Sequence, residues 1–224
     1  MNNFNKEELF LLLNKFKDKL SRKETFAHSI ECLFELRRQV FETLLLFKHY
    51  CSREVFNAMP FKDEEWFHNK TIAYSIWHVF RIEDIIAHSL VLDDEQIFFS
   101  GSYQDKIKAP IITTGNELAG EQIKTFSEAL DIDHLYEYAA EVRYNSDKII
   151  RRLNHGELSR TVTEDRRRKL EKLKVVSSSS RANWLIDYWC SQDLKGLLLM
   201  PFSEHWLAHT VACSIISDGI KKNC

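Results

Sequence analysis

Chain-breaking residues are so scarce in this sequence that long, nearly uninterrupted helices are its natural product. Only 6 Gly and 3 Pro occur in 224 residues, and Pro60, Pro110 and Pro201 all fall outside the periodic stretches. Every other residue is free to extend an i to i−4 hydrogen-bond ladder. With 44% apolar and 29% charged residues, the chain has the makings of an ordinary folded core and not of a disordered polymer. The expectation is an all-α protein forming one domain over 1–224.

The apolar positions recur at three and four, the helical repeat. Leu9, Leu12, Leu13, Phe16 and Leu20 mark a short amphipathic helix over 6–20, which makes 1–22 an accessory segment that packs on the body or on a second chain. Ser21 and Glu24 have capping-box spacing for a second helix over about 24–50, carrying Phe26, Ile30, Leu33, Val40, Leu44 and Phe47. Seven turns of helix are around 40 Å long, the length of a bundle helix. A third helix is expected over 69–92, apolar around most of its girth and therefore buried between neighbours.

The pattern then lapses over 93–120, a long connection with short helical pieces expected near 94–98 and 117–130. A fourth helix follows over 133–154, capped by Asp131 or Asp133 and stopped at Gly156. The basic run from Glu164 to Lys174 lacks aromatic partners and reads as a solvated helix face. Beyond the Ser177–Ser180 joint come the aromatic cluster 182–190, a stop at Gly196, and a last helix with Pro201 in its first turn.

Several function classes are disfavoured. Lys and Arg number 31 against 33 Asp and Glu, so no net positive field draws nucleic acid or an anionic membrane. The five cysteines are scattered, odd in number and without C-x-x-C spacing, which suits reduced thiols in a cytosol. No basic and apolar leader opens the sequence, and no uncharged run approaches the roughly 20 residues of a bilayer span. The expectation is a soluble cytoplasmic protein.

Two polar features stand out against this background. His205 and His209, in the stretch from Pro201 to His209, are four apart on the last helix, so both imidazoles share one face within reach of one metal ion. Trp77-His78 lies in the third helix, where burial demands partners for both ring nitrogens. Trp66 near the start of that helix, Trp77 and Trp206 adjoin these histidines. Arg37 and Glu83 each interrupt an apolar stripe. A buried carboxylate needs a partner, so the two are expected to pair between the second and third helices. Glu83 follows His78 by five residues, about 140° around the helix, and so points away from it.

The order of these segments, with one His in Ser-Ile-Trp-His78-Val-Phe-Arg and an H-x-x-x-H pair on the final helix, resembles the DinB/YfiT-like family over about residues 24–220. The resemblance implies an up-down four-helix bundle, with the N-terminal helix added and a long connection between the second and third bundle helices. It also implies a divalent metal (Zn, Ni or Fe) held by His78, His205 and His209. Where many members carry a further His and an Arg-Gly-Gln segment, this chain has Cys213-Ser214-Ile215-Ile216. Two imidazoles from one helix and one from another leave open positions for water or substrate.

The expected function is a small-molecule metalloenzyme of thiol-dependent transferase or hydrolase type, a low-molecular-weight thiol being the co-substrate that the resemblance suggests. No general base is nominated, although Tyr74 and Glu204 lie on suitable helices. The alternative is a non-catalytic stress-related or regulatory interaction protein with structural histidines. A homodimer through the N-terminal helix is open under either.

Overall fold

The computed structural model describes residues 5–65 and 67–221, so Trp66 lies outside the described residues. Its regular elements are helical, and among the described residues no strand forms beyond an isolated bridge between Thr161 and Asp193. Helix α1, Lys6–Leu20, starts at Asn5, whose side chain accepts from the Glu8 amide. It buries Leu9, Leu13, Phe16 and Leu20 against α2, Phe26–Tyr50, so its apolar face is covered by its own chain. Ser21 ends α1 and is not the N-cap of α2. The Thr25 hydroxyl instead donates back to the Lys19 carbonyl at 2.7 Å, and a 3-10 turn over Lys23–Thr25 leads into α2.

After the short α3, Arg53–Asn57, comes α4, Ile72–Asp84, capped by the Thr71 hydroxyl on the Tyr74 amide. Every residue of α4 is buried. A π-helical segment, Ile85–Leu92, prolongs it to Asp93, whose left-handed conformation (φ 70°) ends the run. The carbonyls left over there are covered from outside: the Arg166 guanidinium donates to the Leu90 and Val91 carbonyls at 2.8 and 3.0 Å. Part of the basic run thus serves as a helix cap.

The connection after Asp93 is helical in its first part and irregular over 108–120. It contains α5, Ile97–Ser100, α6, Tyr103–Ile107, and α7, Glu121–Ala129, of which α6 has no counterpart in the sequence pattern. What fixes it is Asp84, whose carboxylate accepts from the Ile97 and Phe98 amides at 2.8 and 2.9 Å and from the Tyr138 hydroxyl at 2.8 Å. Arg81 adds bonds to the Ile112 carbonyl and Gln96 at 2.9 and 2.7 Å. A one-turn helix such as α5 has no stability alone, and buried charge-assisted bonds hold it in place.

Helix α8, Ile132–Arg152, is capped by Asp131 and stops at Leu153, which is extended; Gly156 lies three residues further, inside a 3-10 turn. Then follow α9, Glu164–Leu173, α10, Trp184–Cys190, and α11, Leu194–Leu199. Gly196 is not a stop either. Its amide donates to the capping Asp193 side chain at 2.8 Å, within the first turn of α11. A π turn, Met200–Glu204, joins α11 directly to α12, His205–Lys221, so Pro201 sits in this wider turn and not in the first turn of α12. Proline brings no amide proton to the ladder, and the Ser203 hydroxyl lies 2.8 Å from both the Leu198 and Leu199 carbonyls, a side-chain contact back onto the preceding turn. Helix α4 packs on α8 and α12, and α2 packs on the same two helices.

Candidate metal centre

Behind the packing of these helices lies a buried ion network. Arg37 on α2 and Glu83 on α4 pair in bidentate fashion at 2.8 and 3.0 Å, as their positions in two apolar stripes predict. The same guanidinium reaches Asp147 at 2.7 Å, Ser146 at 2.8 Å and the Phe202 carbonyl of the π turn at 2.9 Å. It also stacks 4.2 Å from the Trp206 ring, whose indole N–H donates to Glu83. Burial pushes the Glu83 carboxyl up and Arg37 opposes it. Burial alone would lower Arg37, but Glu83 and Asp147 hold the guanidinium above its usual range. One cation therefore ties α2, α4, α8 and the entry to α12 together.

On the opposite side of α4 from Glu83, the three histidines converge. His78, His205 and His209 are buried, their ring centroids lie 4.7–5.0 Å apart, and one nitrogen from each falls within 4.8 Å of the others. His78 Nδ1 donates to the Thr114 carbonyl at 2.8 Å, which leaves Nε2 as the lone-pair nitrogen. That is the outer bond that orients a metal-ligating imidazole. Neither nitrogen of His209 has a hydrogen-bond partner, nor does Nδ1 of His205.

Three of the buried ring nitrogens thus lack the partners that polar groups in a protein interior nearly always have. A tetrahedral ion with bonds of ~2.0–2.1 Å sets its ligand nitrogens roughly 3.4 Å apart. Small ring rotations would close the set. The donor set therefore fits a divalent ion.

Burial lowers the basicity of all three rings. His78 is pushed down to about 4, with Thr114 opposing and Lys70 adding to the shift; burial also holds His205 and His209 well below the usual imidazole range, helped by His78 at His205 and by His205, His78 and Lys70 at His209. At neutral pH all three are uncharged, the state in which imidazole ligates.

A pH dependence follows. The His78 pKa in the folded, chelator-treated protein lies below the unfolded value of 6.5, so its contribution is complete above about 6.5 and is lost as pH falls toward 4. Chelator-treated protein should lose about 3 kcal/mol over that range through His78 alone. Urea titrations at a series of pH values should show this loss shrink in His78→Gln, which keeps a donor for the Thr114 carbonyl. An unchanged acid limb would refute the assignment.

The connection supplies more than one bond here. Tyr74 stacks on the His78 ring (5.4 Å, 11°), and its hydroxyl donates to the Gly115 carbonyl at 3.0 Å. Burial raises the Tyr74 phenol well above its usual range, so it serves as a positioned donor and not as a base. Gly115 is left-handed (φ 81°), and a Cβ there would lie 2.9 Å from the Tyr74 ring. Gly115→Ala should therefore cost about 1–3 kcal/mol and disturb the Thr114 contact, read out as weaker metal binding than wild type. Glu204, the other helix-borne candidate, is half-exposed and paired with Lys17 at 2.6 Å.

Beside the histidines opens a cavity of about 280 Å3, with His78 and His205 on its wall. Phe67 lines it and packs edge-on to His209 at 4.8 Å, and Asn116 marks the contribution of the long connection. The sequence pattern gave no sign of this space, because its walls come from α4, α10 and the π turn, far apart in the chain. No protein-family model matches this chain, and no curated protein matches it in sequence.

Proposed function

We propose that the chain is a divalent-metal-binding protein of the DinB/YfiT-like type, which holds one ion with His78, His205 and His209 and acts on a small molecule. The observation that carries this reading is the convergence of three buried, neutral imidazoles, three of whose nitrogens (His205 Nδ1 and both of His209) have no hydrogen-bond partner. The plain-core alternative has to leave both nitrogens of His209 unmet in the interior, at a cost of about 1–3 kcal/mol for each group. The proposed architecture is a four-helix bundle of α2, α4, α8 and α12, supported by the packing of α4 and of α2 on both α8 and α12.

A bound ion with three neutral ligands supplies Lewis acidity and lowers the pKa of a water or thiol at an open position. The chain's own part is to keep the rings uncharged by burial, to fix His78 through Thr114, and to shield His209 with Phe67. Transferase or hydrolase chemistry, with a low-molecular-weight thiol as co-substrate, belongs to the same proposal. Phe10 and Leu11 on the outer face of α1, about half exposed, support pairing of two chains there. Among the described residues no helix is long and apolar enough to cross a membrane.

The deciding experiment is metal analysis of protein purified without a His tag, for wild type and His205→Ala. Stoichiometric metal in the first and its loss in the second are expected. Wild type that stays metal-free after incubation with zinc, nickel or ferrous ion and desalting overturns the proposal.

A further inference from the structure

The cavity beside the histidines is chemically one-sided. Among the described residues, no acidic or basic side chain lines it apart from the imidazoles, and Asn116 and Tyr188 are the other polar residues on its wall. Leu185 and Trp189 of α10, both buried, face it together with Met200 and Pro201 of the π turn. Trp184 and Tyr188, half-exposed with their rings 5.8 Å apart, form an aromatic rim. The Trp184 N–H is already used, donating to the Arg181 carbonyl at 3.0 Å. What remains is flat aromatic and aliphatic surface leading from solvent to His78 and His205.

From this we infer that the cavity is the site for a neutral, one- or two-ring aromatic molecule, seated between α10 and the π turn with its reactive end toward the three histidines. The inference deepens the proposed function and rests on it for the role of the histidines. Three features choose the ligand class. A volume of 280 Å3 lies just under the roughly 300–1,000 Å3 of typical small-molecule sites, which suits a compact ligand. Aromatic walls favour ring stacking and edge contacts. A carboxylate or ammonium seated inside would be desolvated without a counter-charge. A thiol co-substrate rich in carboxylates would therefore have to keep its charged groups outside the rim.

The test uses two probes and calorimetry on the full-length chain. Indole, neutral and without a strong metal donor, is titrated into chelator-treated protein. Saturable binding is expected, weakened about tenfold or more by Leu185→Trp, which fills the cavity. Tyr188→Glu, at the half-exposed rim where folding tolerates a charge, should weaken it as well. Absence of saturable binding, or binding that neither variant weakens, overturns the inference.

In zinc-loaded protein, 4-phenylimidazole should bind at least about tenfold more tightly than imidazole, because its phenyl ring enters the cavity. Equal affinities also overturn the inference. Protein that takes no zinc but binds indole as described sinks the metal reading and supports the cavity. Zinc binding with no response to either probe does the reverse.

Discussion

Glu83→Leu should destabilise the protein by about 3–5 kcal/mol, the usual result of removing one partner from a buried ion pair. Arg37 and Glu83 are fully buried, and the carboxylate is bonded by the guanidinium, Ser146 and Trp206. Without it, a desolvated cation keeps Asp147 as its one carboxylate partner, and the Trp206 N–H loses its acceptor. In a chain of this size each kcal/mol moves the melting point by about 2–4 °C, so a drop on the order of 10 °C is expected. Metal affinity should fall too, although Glu83 touches no histidine. Arg37 also holds the Phe202 carbonyl, and Phe202 stands three residues before His205. Urea melts and zinc titrations on the variant check both statements. A loss below about 1 kcal/mol with an unchanged m-value would mean that the network does not hold these helices together.

Loading wild-type protein with zinc should raise its melting point by about 5–11 °C when free metal exceeds its dissociation constant a hundredfold. The increase should vanish in His205→Ala and in His209→Ala. A ligand that binds the folded state alone stabilises it by mass action, and about 2.7 kcal/mol is the share at that excess. His209→Ala carries a second signature. With both of its nitrogens unpartnered, the ring contributes little to the metal-free fold beyond packing on Phe67. Chelator-treated variant and chelator-treated wild type should therefore melt closer together than their zinc-loaded forms. Equal zinc responses in wild type and variants would dismiss these residues as ligands.

The candidate site was legible because its chemistry is coded locally. An i, i+4 histidine pair shares a helix face whatever surrounds it, and a histidine in a helix apolar on most sides has nowhere to go but inward. The Arg37–Glu83 pair was legible for the same reason: a charge in an apolar stripe demands a partner, and few candidates exist. Helix ends were harder to place. Ser21, Gly156 and Gly196 look like caps and stops, yet the first closes the preceding helix, the second lies in a 3-10 turn, and the third is inside α11. Capping residues suit several backbone roles, and tertiary bonds choose among them. Helix α6 was missed because five residues hold too little periodicity to register.

By itself, then, the sequence determined an all-helical chain and the inward placement of three imidazoles and one ion pair, since each follows from helical periodicity and the cost of burying charge. The tertiary structure alone decided how those groups are used. The Thr114 carbonyl that fixes the tautomer of His78 arrives from 36 residues away. The π turn that leads into His205 is held by a guanidinium from α2 that donates both to the Glu83 carboxylate of α4 and to the Phe202 carbonyl. The apolar cavity exists where α10 and that turn fail to close against α4. Spacing along one helix carries no information about such distances, because they are set by how separate helices pack and not by any repeat within one of them.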